Sequence, residues 1–383
     1  MTDLMERFQA FKARAGAGAA QPPAPQPTPA LPDGLWERTP VPLRTDYRPV
    51  PFTGELRGEW PSHIAGGDLG PPESWRLFDL ETTGLSGGAG TRAFLVGIGQ
   101  LEGDGLTVRQ YLLTDLDQEP ALLSAVCADL AGATALVTFN GKSFDLPLLR
   151  DRVVLAGLEA LPVRPHFDLL HPARRLWQAA LSGCDLRTLQ SEALGEPRYG
   201  DVDGALIPAL YFAWLDGDAR ALDGVCAHNR EDLYALAGIA ARLCALAADG
   251  PRPGLPVALL WGLGRLYEKA GDPAGAVEAY LACRTAGGRD AGAAAGRLLK
   301  RLGRHAEAVP IWEAERGGPR ASLDAAVELA KYLEHRRRDH QAAMAVVREA
   351  LRLAVWARPE RRAELAHRLA RLRRKVGEPG GTP

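Results

Sequence analysis

Two regimes of apolar patterning divide this chain. In the first, short apolar runs sit between glycine-rich turns: Trp75, Leu77, Phe78 and Leu80 predict a buried strand over 77–81, whose polar exit runs from Thr82 to Gly90. Apolar stretches at 93–101 and 107–113 flank Glu102-Gly103-Asp104-Gly105, a turn-rich connection that predicts a hairpin. A helical pattern follows at 119–130, a fourth strand at 135–139, a helix at 144–157 and a short fifth strand at 166–170. Residues 225–236 form one more amphipathic helix. In the second regime the spacing is helical throughout, and it repeats: Gly271, Ala276 and Tyr280 recur 32 residues later as Gly303, Ala308 and Trp312, with a looser copy aligning Ala276 with Ala343. Stacked helix pairs account for this period, and an alanine-rich bundle would use the same helices.

Punctuation between these patterns sets the expected domains. Residues 1–34 carry a short amphipathic possibility (Leu4, Met5, Phe8, Phe11) and then an Ala/Pro/Gly tract that reads as a flexible segment. An irregular Pro/Gly-rich lead-in over 35–72 is anchored by Trp36, Tyr47, Phe52, Leu56 and Trp60. An α/β domain with a mixed five-stranded sheet flanked by helices is expected over 73–248, and an all-α repeat domain over 255–376, the composition shifting at Ala247-Ala248-Asp249-Gly250-Pro251.

The chemistry begins in the first strand. Asp79 and Glu81 are two residues apart, so on a strand they share a face, and two carboxylates at a buried edge call for a cation. A hard divalent ion, Mg²⁺ or Mn²⁺, suits such ligands, although acids on the solvent face of a half-exposed strand would look the same. Asp145 stands at the start of a predicted helix, where the dipole favours a carboxylate. His228 and Asp232 are i and i+4 on another helix. His166 and Asp168 alternate on the fifth strand, and Asp168 fits a supporting position behind the site or a cap for the helix after it. The run Gly84-Leu85-Ser86-Gly87-Gly88 lacks the Lys-Ser/Thr of a phosphate-binding loop and leads into a strand, which excludes that reading.

Taken in order, Phe78-Asp79-Leu80-Glu81-Thr82-Thr83-Gly84, then Phe139-Asn140-Gly141-Lys142-Ser143-Phe144-Asp145, then His228-Asn229-Arg230-Glu231-Asp232 resemble the three motifs of DEDD-superfamily exonucleases, over roughly residues 70–245. The second motif is similar to that of family B polymerase proofreading domains, and the third to that of YprB-like predicted exonucleases. The resemblance implies a ribonuclease-H-like fold and a 3′→5′ exonuclease of DNA or RNA. It further implies that Asp79, Glu81, Asp145 and Asp232 hold two Mg²⁺ or Mn²⁺ ions and that His228 acts as general base. His228 takes the place of tyrosine in the Tyr-x3-Asp branch, which leaves open whether it deprotonates the attacking water or orients it. Thr83, Leu85, Asn140, Lys142 and Arg198 are the implied contacts to the terminal nucleotide and its phosphates. The C-terminal pattern, with Trp261-Gly262-Leu263-Gly264-Arg265-Leu266-Tyr267, resembles a tetratricopeptide repeat, which implies a surface for a protein partner. The same site fits a structure-specific endonuclease, and a catalytically degenerate fold would leave an interaction scaffold.

Charge sharpens the division. Residues 251–383 carry 25 Lys and Arg against 15 Asp and Glu, whereas the first 250 carry 21 against 32, and the whole chain nets −1. Runs such as Arg336-Arg337-Arg338 and Arg371-Leu372-Arg373-Arg374-Lys375 would retain a polyanion near an acidic catalytic domain by counterion release, and solvated helix faces explain them equally. The 5 cysteines show no C-x-x-C pair and no apolar run reaches membrane-spanning length, so a cytoplasmic protein without membrane contact is expected.

Overall fold

The computed structural model describes residues 31–32, 36–38, 41–50, 53–84, 90–317, 322–354 and 359–377. The amphipathic possibility at the N-terminus lies outside them. The chain forms two compact units, Met1–Asp249 and Gly250–Pro383.

The first unit is built on one mixed sheet of seven strands, not the five expected: β1 (Trp36–Arg38), β2 (Pro42–Pro49), β3 (Trp75–Thr82), β4 (Ala93–Glu102), β5 (Gly105–Leu112), β6 (Ala135–Thr138) and β7 (His166–Asp168). Their order across the sheet is β1-β2-β5-β4-β3-β6-β7. The two additional strands come from the lead-in that composition marked as irregular. Its eight-residue strand β2 runs antiparallel to β5 from Leu43↔Tyr111 to Pro49↔Gly105, so backbone pairing with a preformed edge overrides weak local propensity. The strands β3, β4 and β5 form an antiparallel meander, and β6 and β7 then add in parallel to β3.

Helices α1 (Trp60–Ala65), α2 (Glu119–Ala131), α3 (Asp145–Leu155), α4 (Leu170–Trp177), α5 (Leu186–Ala193), α6 (Ile207–Leu215) and α7 (Asp223–Asp249) complete this unit. Phe78, Phe94, Leu122, Val126, Leu149, Tyr211 and Trp214 share one buried core. The Tyr211 ring stacks on Phe94 at 4.1 Å, and its hydroxyl donates to the Leu113 carbonyl at 3.0 Å. Buried charge is paired here: Asp129 accepts from Arg76, Arg109 and Tyr111 at 3.1, 2.6 and 2.8 Å.

The position of α7 is set by the sheet itself. Asp79 of β3, Gly97 of β4 and Gln110 of β5 stand opposite one another in register, a row across three strands. A Cβ at Gly97 would collide with the Asn229 side chain and with Leu233. The missing side chain at Gly97 is therefore what lets α7 lie directly on the sheet beside Asp79.

The second unit is all helical: α8 (Val257–Ala270), α9 (Pro273–Thr285), α10 (Ala291–Arg301), α11 (His305–Gly317), α12 (Leu323–Tyr332), α13 (His340–Leu353) and α14 (Pro359–Val376). Each packs chiefly on the helices before and after it. The sequence period reappears as packing. Gly264 of α8 faces the Tyr280 ring, and 32 residues on, Gly296 of α10 faces the Trp312 indole. No described helix of either unit is long and apolar enough to cross a membrane. None of the five cysteines is paired.

Candidate active site

Asp79 and Glu81 lie on the same face of β3 near its C-terminal end, where a register shift between Glu81 and Thr82 breaks the ladder. Such irregularities re-aim side chains at strand ends. From β6 the chain passes through Asn140, held at φ 67°, and the turn delivers Asp145 to the first position of α3. That turn is clamped by Asp168 of β7. Its carboxylate accepts from the backbone N–H of Asn140 at 2.8 Å, of Lys142 at 3.0 Å and of Leu170 at 3.1 Å. Asp168 thus ties the turn at Asn140 and Lys142 to the first residue of α4. The His166 Nε2 meets the Thr138 hydroxyl at 2.7 Å, and burial pulls its pKa down to about 4.

Helix α7 brings the third group of residues. His228 and Asp232 face the β3 carboxylates, the His228 Nε2 lying 3.9 Å from a Glu81 oxygen and 3.5 Å from an Asp232 oxygen. The other ring nitrogen, Nδ1, donates to Asp201 at 2.7 Å. In the neutral ring, an Nδ1–H bound in this way makes Nε2 the acceptor, turned toward the carboxylates. Asn229, fully buried between them, links sheet and helix: Gln110 Nε2 donates to its Oδ1 at 2.9 Å, and its own Nδ2 donates to Asp79 at 2.8 Å. Sequence reasoning gave Asn229, Gln110, Gly97 and Asp201 no function. Asn229 stood inside the third motif, and Asp201 lay among small residues at 200–204; Gln110 and Gly97 carried no local signal.

The electrostatics are those of crowded negative charge. Burial, then the charges of Asp232 and Asp145, push the Asp79 pKa well up, while Asn229 and Arg198 oppose them. Burial, then Asp79, Asp232 and Asp145, raise Glu81 in the same way. Burial raises Asp145 to about 6. Burial raises Asp232 too, against the pull of His228 and Arg198. Asp201 moves the opposite way: burial raises it, but the bond and charge of His228 with the charges of Arg198 and Arg187 hold it below the usual range.

Arg198 sits within this cluster. Its side chain is 5% exposed, and its guanidinium contacts Asp232 and lies 3.4 Å from Asp201. Among the described residues no three Asp, Glu, His or Cys side chains converge tightly enough to hold a metal ion. The donor chemistry nevertheless fits one: burial raises the pKa of all four carboxylates, and neighbouring site carboxylates raise Asp79 and Glu81 further, the condition that a hard divalent cation relieves. A cleft of about 680 Å³ opens alongside, lined by Arg48, Arg198, Tyr199, Asp201 and His228.

The remaining expected contacts divide. Thr83 is engaged within its own loop, its hydroxyl accepting from the Arg92 N–H at 3.0 Å. Lys142 is exposed on the turn before Asp145. Leu85 lies outside the described residues.

Comparison with known proteins agrees with this architecture. Residues 77–244 match the family model of the RNase_H superfamily. The chain is also 33% identical over 307 residues to the uncharacterized protein YprB of Bacillus subtilis, covering 78% of this chain and 74% of that relative.

Proposed function

Because the chain belongs to the ribonuclease H superfamily, we propose that its first unit is a divalent-metal-dependent 3′→5′ exonuclease of DNA or RNA, a DEDD-type phosphodiester hydrolase. The observation that carries the reading is the meeting of Asp79, Glu81, Asp145 and Asp232, from three separate segments, with the Nε2 of an oriented histidine. Asp79, Glu81, Asp145 and Asp232 would hold two Mg²⁺ or Mn²⁺ ions. When bound, these ions would supply Lewis acidity to a phosphodiester and lower the pKa of water toward neutrality. His228 then takes the proton of the attacking water at Nε2, and Asp201 keeps the ring in the tautomer that can do so and stabilises the imidazolium that results. Asn229 fixes the rotamer of Asp79, and Asp168 fixes the turn that presents Asp145. Lys142, Arg198 and the Asn140 turn are the proposed phosphate contacts, and Thr83 and Leu85 the proposed neighbours of the terminal nucleotide.

The second unit is proposed to be a tetratricopeptide-like array that binds nucleic acid or a protein partner. Its support is the packing of Gly264 on Tyr280 repeated by Gly296 on Trp312.

End-labelled single-stranded DNA and RNA, incubated with Mg²⁺, Mn²⁺ or EDTA, test the reading. Metal-dependent shortening from the 3′ end that disappears in Asp79→Asn is the expected result. Internal cuts would convert the proposal to an endonuclease on the same residues, and absence of cleavage from a folded protein would transfer the function to the helical unit.

A further inference from the structure

Arg198 is a cation already installed where the proposed ions would act. Its side chain is only 5% exposed, the guanidinium is shared between Asp232 and Asp201, and its Nε donates to Gln190. One nitrogen is left over: Nη2 is buried and has no hydrogen-bond partner among the described residues. A guanidinium carries five donors, and a buried one without an acceptor is costly, so this arrangement satisfies the carboxylates better than it satisfies the arginine. The backbone that carries Arg198 is not part of a helix or strand. It belongs to an irregular stretch between α5 and the turn at Gly204, bracketed by Gly195 and Gly200 at φ 75° and 69°. Tyr199, next in sequence, is 89% exposed on the rim of the cleft.

We infer that Arg198 is an internal counter-cation that holds Asp232 in the metal-free protein, and that it must leave Asp232 before this carboxylate can ligate a divalent ion, whereupon its guanidinium becomes available to a substrate phosphate. The inference rests on the nuclease reading above. Three observations converge on it. Arg198 occupies an oxygen of Asp232, one of the four proposed ion ligands. Asp201 is also bound by Arg187 at 2.9 Å and by His228, so it keeps these two partners when Arg198 departs and the histidine stays oriented. The unpartnered Nη2 gives the guanidinium a reason to accept an anionic oxygen elsewhere. In this arrangement ion binding is weakened by the fraction of molecules in which Asp232 is free, and ion and phosphate favour each other.

The test is Mn²⁺ binding to the full-length chain without nucleic acid, measured by the electron paramagnetic resonance of free Mn²⁺, for wild type, Arg198→Gln and Arg198→Lys. Arg198→Gln is expected to bind Mn²⁺ about tenfold more tightly. Arg198→Lys keeps the charge but loses the planar guanidinium that reaches Gln190 through Nε and the two carboxylates through Nη1. It should shift in the same direction, and it carries the test if the glutamine variant does not fold. A gain in the glutamine variant alone, with lysine equal to wild type, would make the effect one of net charge and overturn the displacement. Equal affinity in all three also overturns it while leaving the nuclease reading intact. No Mn²⁺ binding by any of them removes both.

Discussion

At the scale of single residues, the site is a set of charges kept in a place that disfavours them. Asp79, Glu81, Asp145 and Asp232 are each raised in pKa by burial, Asp79 also by the charges of Asp232 and Asp145, and Glu81 by those of Asp79, Asp232 and Asp145. Neutralising one of them relieves repulsion while removing a proposed ligand. Asp79→Asn and Asp145→Asn are therefore expected to abolish turnover, yet in EDTA to melt at or slightly above the wild-type temperature. Full activity in both variants would remove these residues from the chemistry, and a melting temperature far below wild type would make their role structural. The four carboxylates and His228 were named from the sequence because the proposed chemistry uses those residue types inside short motifs. Asp201 was not, since it reaches His228 across 27 residues of chain, and Asn229 reaches Asp79 across 150. No local pattern encodes such a pair.

At the scale of elements, two packing arrangements decide how much of this architecture survives mutation. The first is the approach of α7 to the sheet at Gly97. Gly97→Ala forces a methyl into the space of Asn229 and Leu233, with an expected cost of about 2 kcal/mol. It should also lower kcat/KM by roughly a hundredfold, because His228 and Asp232 ride on the displaced helix. Thermal melts and kinetics on the same preparation check both, and an unaffected enzyme would show that α7 is not positioned by that approach. The second is Glu334, which sits buried between α12 and α13 and accepts from Arg368, Arg371 and Lys375 of α14 at 2.7–3.0 Å. Burial alone would raise its pKa, but the hydrogen bonds from Arg371 and Lys375 bring it down to about 2. A carboxylate whose folded pKa lies below its usual 4.5 contributes stability that is complete above that pH and is lost as pH falls toward 2. Glu334→Gln is thus expected to cost about 3 kcal/mol at pH 7, with the difference from wild type closing between pH 4.5 and 2. A difference that does not vary with pH would show that packing, not charge, ties α14 down.

At the scale of the whole molecule, an acidic first unit and a basic second one divide the charge of a nearly neutral chain. Arg336, Arg337 and Arg338 are exposed after α12, and if they hold nucleic acid, Arg336→Glu/Arg337→Glu should weaken binding to an uncleaved single strand. The slope of log affinity against log salt should fall by about one for each phosphate that the variant no longer neutralises. An unchanged slope would assign those arginines to solvation. Sequence by itself determined the α/β-then-helical order, the main strands, the 32-residue period and the acidic motifs, because periodicity and residue chemistry are local properties. Tertiary structure alone decided that the lead-in completes a seven-stranded sheet, that a glycine admits α7, that Asp201 turns His228, and that Arg198 occupies the acidic cluster. Each of these depends on partners brought together only when distant segments pack, and the energy of such pairings is invisible until they are made.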